Sequence, residues 1–124
     1  MAVDPDFLDH VRDLFSGLAP LRMGRMFSGV AVYTEDDVMF AMIAASGTIY
    51  MKTDATSQPA YLAAGATPFT YTKAASTQQI TSLMSLPDTA LDDPEEALSW
   101  ARLSLPAARA AALEKRRTKA RRRK

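Results

Sequence analysis

Residues 26–53 read MFSGVAVYTEDDVMFAMIAASGTIYMKT, and three β-strands in succession are predicted from them. Apolar runs alternate here with short clusters of turn residues, the pattern of consecutive antiparallel strands. The first strand runs to about Tyr33, with Val30 and Val32 on one face and Ala31 and Tyr33 on the other. Glu35-Asp36-Asp37 then reverses the chain, as turn chemistry allows. The second strand, Val38 to about Ala45, is apolar on both faces. Strict alternation puts Val38, Phe40 and Met42 on one side and Met39, Ala41 and Ile43 on the other. A strand open to water on one face would carry polar residues there, so both faces require cover. Ser46-Gly47 predicts a two-residue hairpin with glycine where φ is positive. The third strand, Thr48 to Thr53, sets Ile49 and Met51 against Thr48, Tyr50 and Lys52. The whole stretch contains no histidine and no cysteine, so it is built for packing.

Working outward, Asp4 is the expected N-cap of a first helix, with Pro5 at its first position and Asp6 near the positive end of the dipole. Phe7, Val11, Leu14 and Leu18 form its apolar stripe, flanked by Leu8 and Phe15; Gly17 and Pro20 end it. Leu21 to Arg25 reads as a leader into the sheet. After the three strands, Ser57 to Ala64 is a short helix closed by Gly65. Phe69 and Tyr71 mark a fourth strand behind Pro68, Lys73 to Gln78 a polar loop, and Ile80 to Leu86 a fifth strand stopped by Pro87-Asp88. Asp93-Pro94-Glu95-Glu96 combines an N-cap, a proline at the first helical position and a glutamate three residues after the cap. The helix it opens carries Leu98, Ala101 and Leu105 on one stripe with Trp100 beside them, and Pro106 is expected to kink or restart it. The predicted order is α-β-β-β-α-β-β-α: an α+β, two-layer domain with an antiparallel sheet of about five strands.

At 124 residues the chain is the size of one domain and needs no disulfide or metal to hold a core. It has no cysteine, which removes thiolate chemistry and suits a reducing, cytoplasmic setting. MAVDPDFLDH carries acids where a secretory leader carries bases, and no apolar run approaches the roughly 20 residues of a membrane span. The net charge of +1 hides a split. Residues 114–124 hold Lys115, Arg116, Arg117, Lys119, Arg121, Arg122, Arg123 and Lys124 against Glu114, a balance of +7; residues 1–113 then carry −6. The expected organisation is a domain over 1–113 and a basic, disordered tail over 114–124, because a block of like charges repels itself.

Several words of the sequence together resemble the TfoX/Sxy N-terminal domain family. They are Arg25-Met26-Phe27-Ser28-Gly29 at the first strand, Met39-Phe40-Ala41 in the second and Ile49-Tyr50-Met51-Lys52 in the third. Ala64-Gly65 before Pro68-Phe69 and Tyr71 follows, then Asp93-Pro94-Glu95-Glu96 with Trp100; the likeness covers roughly residues 10–105. It implies a small bacterial α+β domain whose namesakes regulate natural competence alongside transcription machinery, with no assigned catalytic residue or cofactor. This chain departs from the family pattern in carrying Ser28 and Ala31 where glycines are common, and Leu83 and Met84 in place of an aromatic pair. The resemblance does not extend to the separate C-terminal domain of the full-length competence regulators.

Candidate sites are few. His10, the one histidine, lies at the edge of the first helix's apolar stripe, where a boundary role competes with that of a general base. Glu35, Asp36 and Asp37 carry enough charge for a hard cation, or are simply solvated. Lys52 and Tyr50 share a strand face that Arg25 is expected to approach, giving either an anion-binding patch or a solvent-facing surface. Gly29 is expected to let the strand bend or another backbone come close. The basic tail reads either as a sequence-independent contact with nucleic-acid phosphates or as a solubilising segment. The composite expectation is a non-enzymatic, cytoplasmic regulatory or adaptor domain with a protein partner and neither cofactor nor metal. A self-associating module, a homodimer covering the second sheet face, is the alternative.

Overall fold

The computed structural model describes residues 4–18, 20–26, 29–73 and 76–122. Helix α1 spans Pro5–Leu14 and opens as expected: the Asp6 amide donates to Asp4 Oδ1 over 2.9 Å. Six antiparallel strands follow around two further helices. They are β1 (Arg22–Met26), β2 (Gly29–Tyr33), β3 (Met39–Ile43), β4 (Ile49–Lys52), β5 (Pro68–Lys73) and β6 (Ser76–Ser85). Helix α2 (Gln58–Ala63) lies between β4 and β5, and α3 (Pro94–Arg122) closes the chain. The strand order is β1-β2-β3-β4-β6-β5, so α2 carries the chain to the sheet edge and β6 returns inside to pair with β4. The fold is α+β, with one strand more than the sequence predicts. The predicted leader is strand β1, paired residue for residue with β2 from Arg22–Tyr33 to Met26–Gly29.

A bulge reorders the faces of β3. Val32 pairs with Ala41 but Tyr33 with Met39, leaving Phe40 as the extra residue. Phe40, Ala41 and Ile43 therefore all join the core beneath the helices, while Met42 is buried on the opposite face. Strict alternation places Met42 with Phe40, and the bulge overturns that grouping. The turns on either side of β3 share one hydrogen-bond pattern. Ala44 N donates to Thr48 O (2.9 Å) and Gly47 N to Ala44 O (2.8 Å); Thr34 N donates to Val38 O (2.9 Å) and Asp37 N to Thr34 O (3.0 Å). The loop at Ser46-Gly47 thus has three residues rather than two. Gly47 takes the expected positive φ, +91°, and Asp37 occupies the equivalent place at +62°. At the start of β2, a Cβ on Gly29 would stand 2.1 Å from the Ile43 carbonyl oxygen. This is the close backbone approach expected of that glycine.

Helices α1 and α3 cover one face of the sheet. Val11, Leu14 and Phe15 meet Val32, Phe40, Ile49 and Met51 there, with Phe15 and Phe40 edge-on at 5.3 Å. Buried Tyr61 of α2 ties itself to α3, its hydroxyl 2.7 Å from Ser104 Oγ and 3.0 Å from the Trp100 carbonyl. Burial pushes its phenol pKa far above the ordinary value, the Ser104 hydrogen bond opposing only in part. Trp100 packs on the Tyr61 ring at 4.5 Å, so it serves the helical face. The second face has its own small core: Met42, Phe69 and Leu83, edged by Met39, Ala44, Tyr50 and Ile80. Tyr50 and Phe69 meet edge-on at 5.1 Å. Met42 is 1% exposed in a single chain, so the cover that its strand demands comes from β4, β5 and β6.

Helix α3 bears on two expectations, the restart at Pro106 and the disordered tail. It runs unbroken past Pro106. Pro106 and Arg102, whose carbonyl loses its donor, both lie on the exposed side, where that carbonyl is open to solvent rather than orphaned in the core. It also continues to Arg122, so the described part of the expected disordered tail is helical. Alanines at 107, 108, 110, 111 and 112 lead into it with high helix propensity. Arg117 lies 4.0 Å from Glu114, and Thr118 Oγ1 donates back to the Glu114 carbonyl.

Candidate functional site

The two ends of the sheet present different surfaces. At the end carrying the Ser46–Thr48 turn lies an open cleft of about 790 Å³, lined by Phe7, His10, Tyr50, Thr67, Ser85, Asp88, Leu91 and Asp92 among others. His10 Nε2 sits 2.7 Å from the Leu91 carbonyl and 3.8 Å from Asp92 Oδ1. With Nε2 donating to that carbonyl, the ring pins α1 to the 88–92 segment, the boundary role weighed for it. The ring is half exposed and Asp92 almost wholly so, and among the described residues the cleft lining contains no lysine, arginine or cysteine.

At the opposite end α3 passes the ends of β2 and β4 and the start of β3. A smaller pocket of about 280 Å³ forms there between Tyr33, Asp37, Met39 and Lys52 of the sheet side and Ala108, Ala111, Ala112 and Lys115 of the helix. Lys52 is half-buried, and loss of solvent, with the Lys115 charge adding to it, holds its ammonium pKa below the usual lysine value. Arg22 of β1 lies over the Tyr33 ring at 4.0 Å and donates from Nε to Asp37 Oδ1 over 2.9 Å. The cation expected near Lys52 and Tyr50 was Arg25. The register places Arg25 opposite Val30, towards the other end of β1, and brings Arg22 to the Tyr33 end. Tyr50 shares the Lys52 face but packs on Phe69. The acidic turn is tied down rather than open: Asp36 accepts from Thr34 Oγ1, which lowers its carboxyl pKa first of all, with Arg109 and Arg116 adding smaller effects. Arg116 Nη2 also reaches the Asp36 carbonyl at 3.3 Å. Among the described residues no three histidines, cysteines or acids gather into a metal-holding group.

A sequence model of the TfoX N-terminal domain family matches residues 13–108. The chain belongs to that family. No curated protein matches it. Within this TfoX N-terminal domain the family words prove largely architectural. Arg25 and Met26 end β1, Gly29 is the close-approach glycine, Phe40 the bulge, Gly65 the +87° residue after α2, and Phe69 the second-face core. Phe27, like Ser28, lies outside the described residues. Lys52 is the family-word residue that carries charge into a pocket. The family match ends at residue 108, so Tyr33 and Lys52 belong to the matched domain whereas Ala111, Ala112 and Lys115 come from the helix beyond it. Of the basic segment, Lys115, Arg116, Arg117 and Lys119 are exposed, Arg121 and Arg122 continue the helix, and Arg123 and Lys124 lie outside the described residues. Sequence reasoning missed Arg22 and the Lys115–Lys52 proximity. The first follows once β1 is recognised as a strand; the second has no local signal. No described helix is long and apolar enough to cross a membrane.

Proposed function

We propose that this TfoX N-terminal domain is a non-enzymatic, cytoplasmic regulatory or adaptor domain that engages a protein partner and touches nucleic-acid phosphates through the basic end of α3. The observation that carries the reading is the concentration of Lys115, Arg116, Arg117, Lys119, Arg121 and Arg122 on the last helical turns. Eight residues of helix span about 12 Å, a short rod on which cations meet phosphates and release condensed counterions. Lys115, Lys119 and Arg122 recur at the spacing of one helical stripe. No aromatic side chain interrupts residues 114–122, so base stacking has no platform and the contact is with backbone charge. The regulatory role rests on the family. Titrating the full chain into duplex DNA over a range of salt should give binding that weakens steeply as salt rises. A chain ending at Glu114 should lose both the binding and the salt slope. Undiminished binding by the shortened chain would refute the nucleic-acid contact.

A further inference from the structure

Lys52 and Lys115 are two ammonium groups brought to one small pocket whose one described carboxylate is already paired with an arginine. Neither has a hydrogen-bond or ion-pair partner among the described residues, and they act on each other by repulsion. Three nearby acids have other partners. Asp37, the one carboxylate on the pocket wall, is held by Arg22 at 2.9 Å. Asp36 accepts from Thr34, and Glu114 lies by Arg117 at 4.0 Å. Much of the remaining wall is apolar, Met39 with the alanines of α3, and Lys52 is half-buried against it while Lys115 reaches in from the exposed side of the helix. A half-buried lysine beside a second lysine is an unfavourable arrangement for folding alone. An anion seated between them removes the penalty.

We propose that Lys52 and Lys115, with Tyr33 on the pocket wall, form an anion site that seats one phosphoryl group. The volume, about 280 Å³, falls below the range of about 300 Å³ and upward in which drug-sized ligands sit. It leaves room for a tetrahedral oxyanion and accompanying water. Two point charges suit phosphate, which accepts from lysine without needing a planar fork. The site joins the matched family domain to the helix beyond it, so occupancy clamps α3 against the ends of β2 and β4. A free phosphate and a nucleic-acid backbone phosphate offer it the same chemistry, and the two sources are separated by experiment.

The test is a titration of the full chain with inorganic phosphate at constant ionic strength, following amide and lysine side-chain NMR signals. Saturable shifts centred on Tyr33, Lys52 and Lys115 are expected, with the Lys52 ammonium titrating at higher pH once phosphate is bound. Lys52→Met should weaken the binding about tenfold or more, the scale of one lost charge-assisted hydrogen bond. Lys115→Ala, at an exposed helix position, should weaken it likewise. A variant with Arg117, Arg121 and Arg122 changed to alanine should keep phosphate affinity; if it also loses duplex DNA, the two contacts are separate. Displacement of phosphate by a short duplex assigns the group to a nucleic-acid backbone, and retention assigns it to a free phosphate compound. Absence of saturation at Lys52, or equal affinity in Lys52→Met, overturns the site.

Discussion

The two ends of the sheet teach opposite lessons about what marks a site. The end beneath the Ser46–Thr48 turn has the larger hollow, about 790 Å³, and the chain's one histidine, yet His10 spends its ring nitrogen on the Leu91 carbonyl. The Tyr33–Lys52 end has a hollow near 280 Å³ and two lysines without an ion-pair partner among the described residues. Size follows from how loops meet, and most loops leave surface depressions that no ligand stabilises. Unbalanced charge in a partly dry place costs folding free energy, so its presence asks for a compensating ligand.

The contrast can be broken at either end. Gly29→Ala carries the largest expected effect, because the new methyl would stand 2.1 Å from the Ile43 carbonyl behind the cleft-end turn. Two paired backbones must part, and a loss of about 3 kcal/mol is expected in urea unfolding. The two turns give the next effect. Gly47→Ala forces a side chain to φ +91° and should cost about 1–2 kcal/mol. Asp37→Gly at the lysine end relieves a similar strain but breaks the exposed Arg22 pair, and should change stability by less than about 0.5 kcal/mol. Lys52→Met removes an uncompensated charge, so in phosphate-free buffer Tm should rise by about 2 °C, as ~0.5 kcal/mol does in a domain of this size.

The pH dependence of that last variant sharpens the point. The folded state holds the Lys52 ammonium pKa below the ordinary lysine value of 10.5. Between the folded and unfolded values the unfolded chain binds more protons, so native stability gains as pH climbs toward 10.5. That gain should be missing from Lys52→Met when the two unfolding curves are subtracted. An identical slope in both proteins would mean that Lys52 is fully solvated. His10→Gln is expected to be as mild as Asp37→Gly: an amide can still donate to Leu91, and thermal unfolding should move by less than about 0.5 kcal/mol.

Local signals account for much of the architecture. The Asp4 and Asp93 caps, the turn at Glu35-Asp36-Asp37, the Gly47 and Gly65 stops and the alternation of β4 are legible in the sequence, and each stands where its neighbours place it. Strand β1 is not legible, because Arg22-Met23-Gly24-Arg25 has almost no β-propensity; pairing with β2 makes it a strand. Trp100 is recognisable as a packing residue, but both sheet faces are apolar, so periodicity does not say which of them it covers. Of the candidate site, the sequence marks Lys52 alone, since Lys115 reads there as one cation among many in the basic segment.

The sequence by itself determined the α+β class, most of the helices and turns, and the charge split between body and terminal segment. These depend on neighbours within a few residues, through capping, turn dihedrals and periodicity. Only the tertiary structure decided that Phe40 bulges, that β5 and β6 exchange places at the edge, and that Lys115 meets Lys52. The first turns on the register between β2 and β3, the second on a crossover through α2, the third on residues 63 positions apart being folded together. Local composition constrains none of these, because only long-range packing chooses among them.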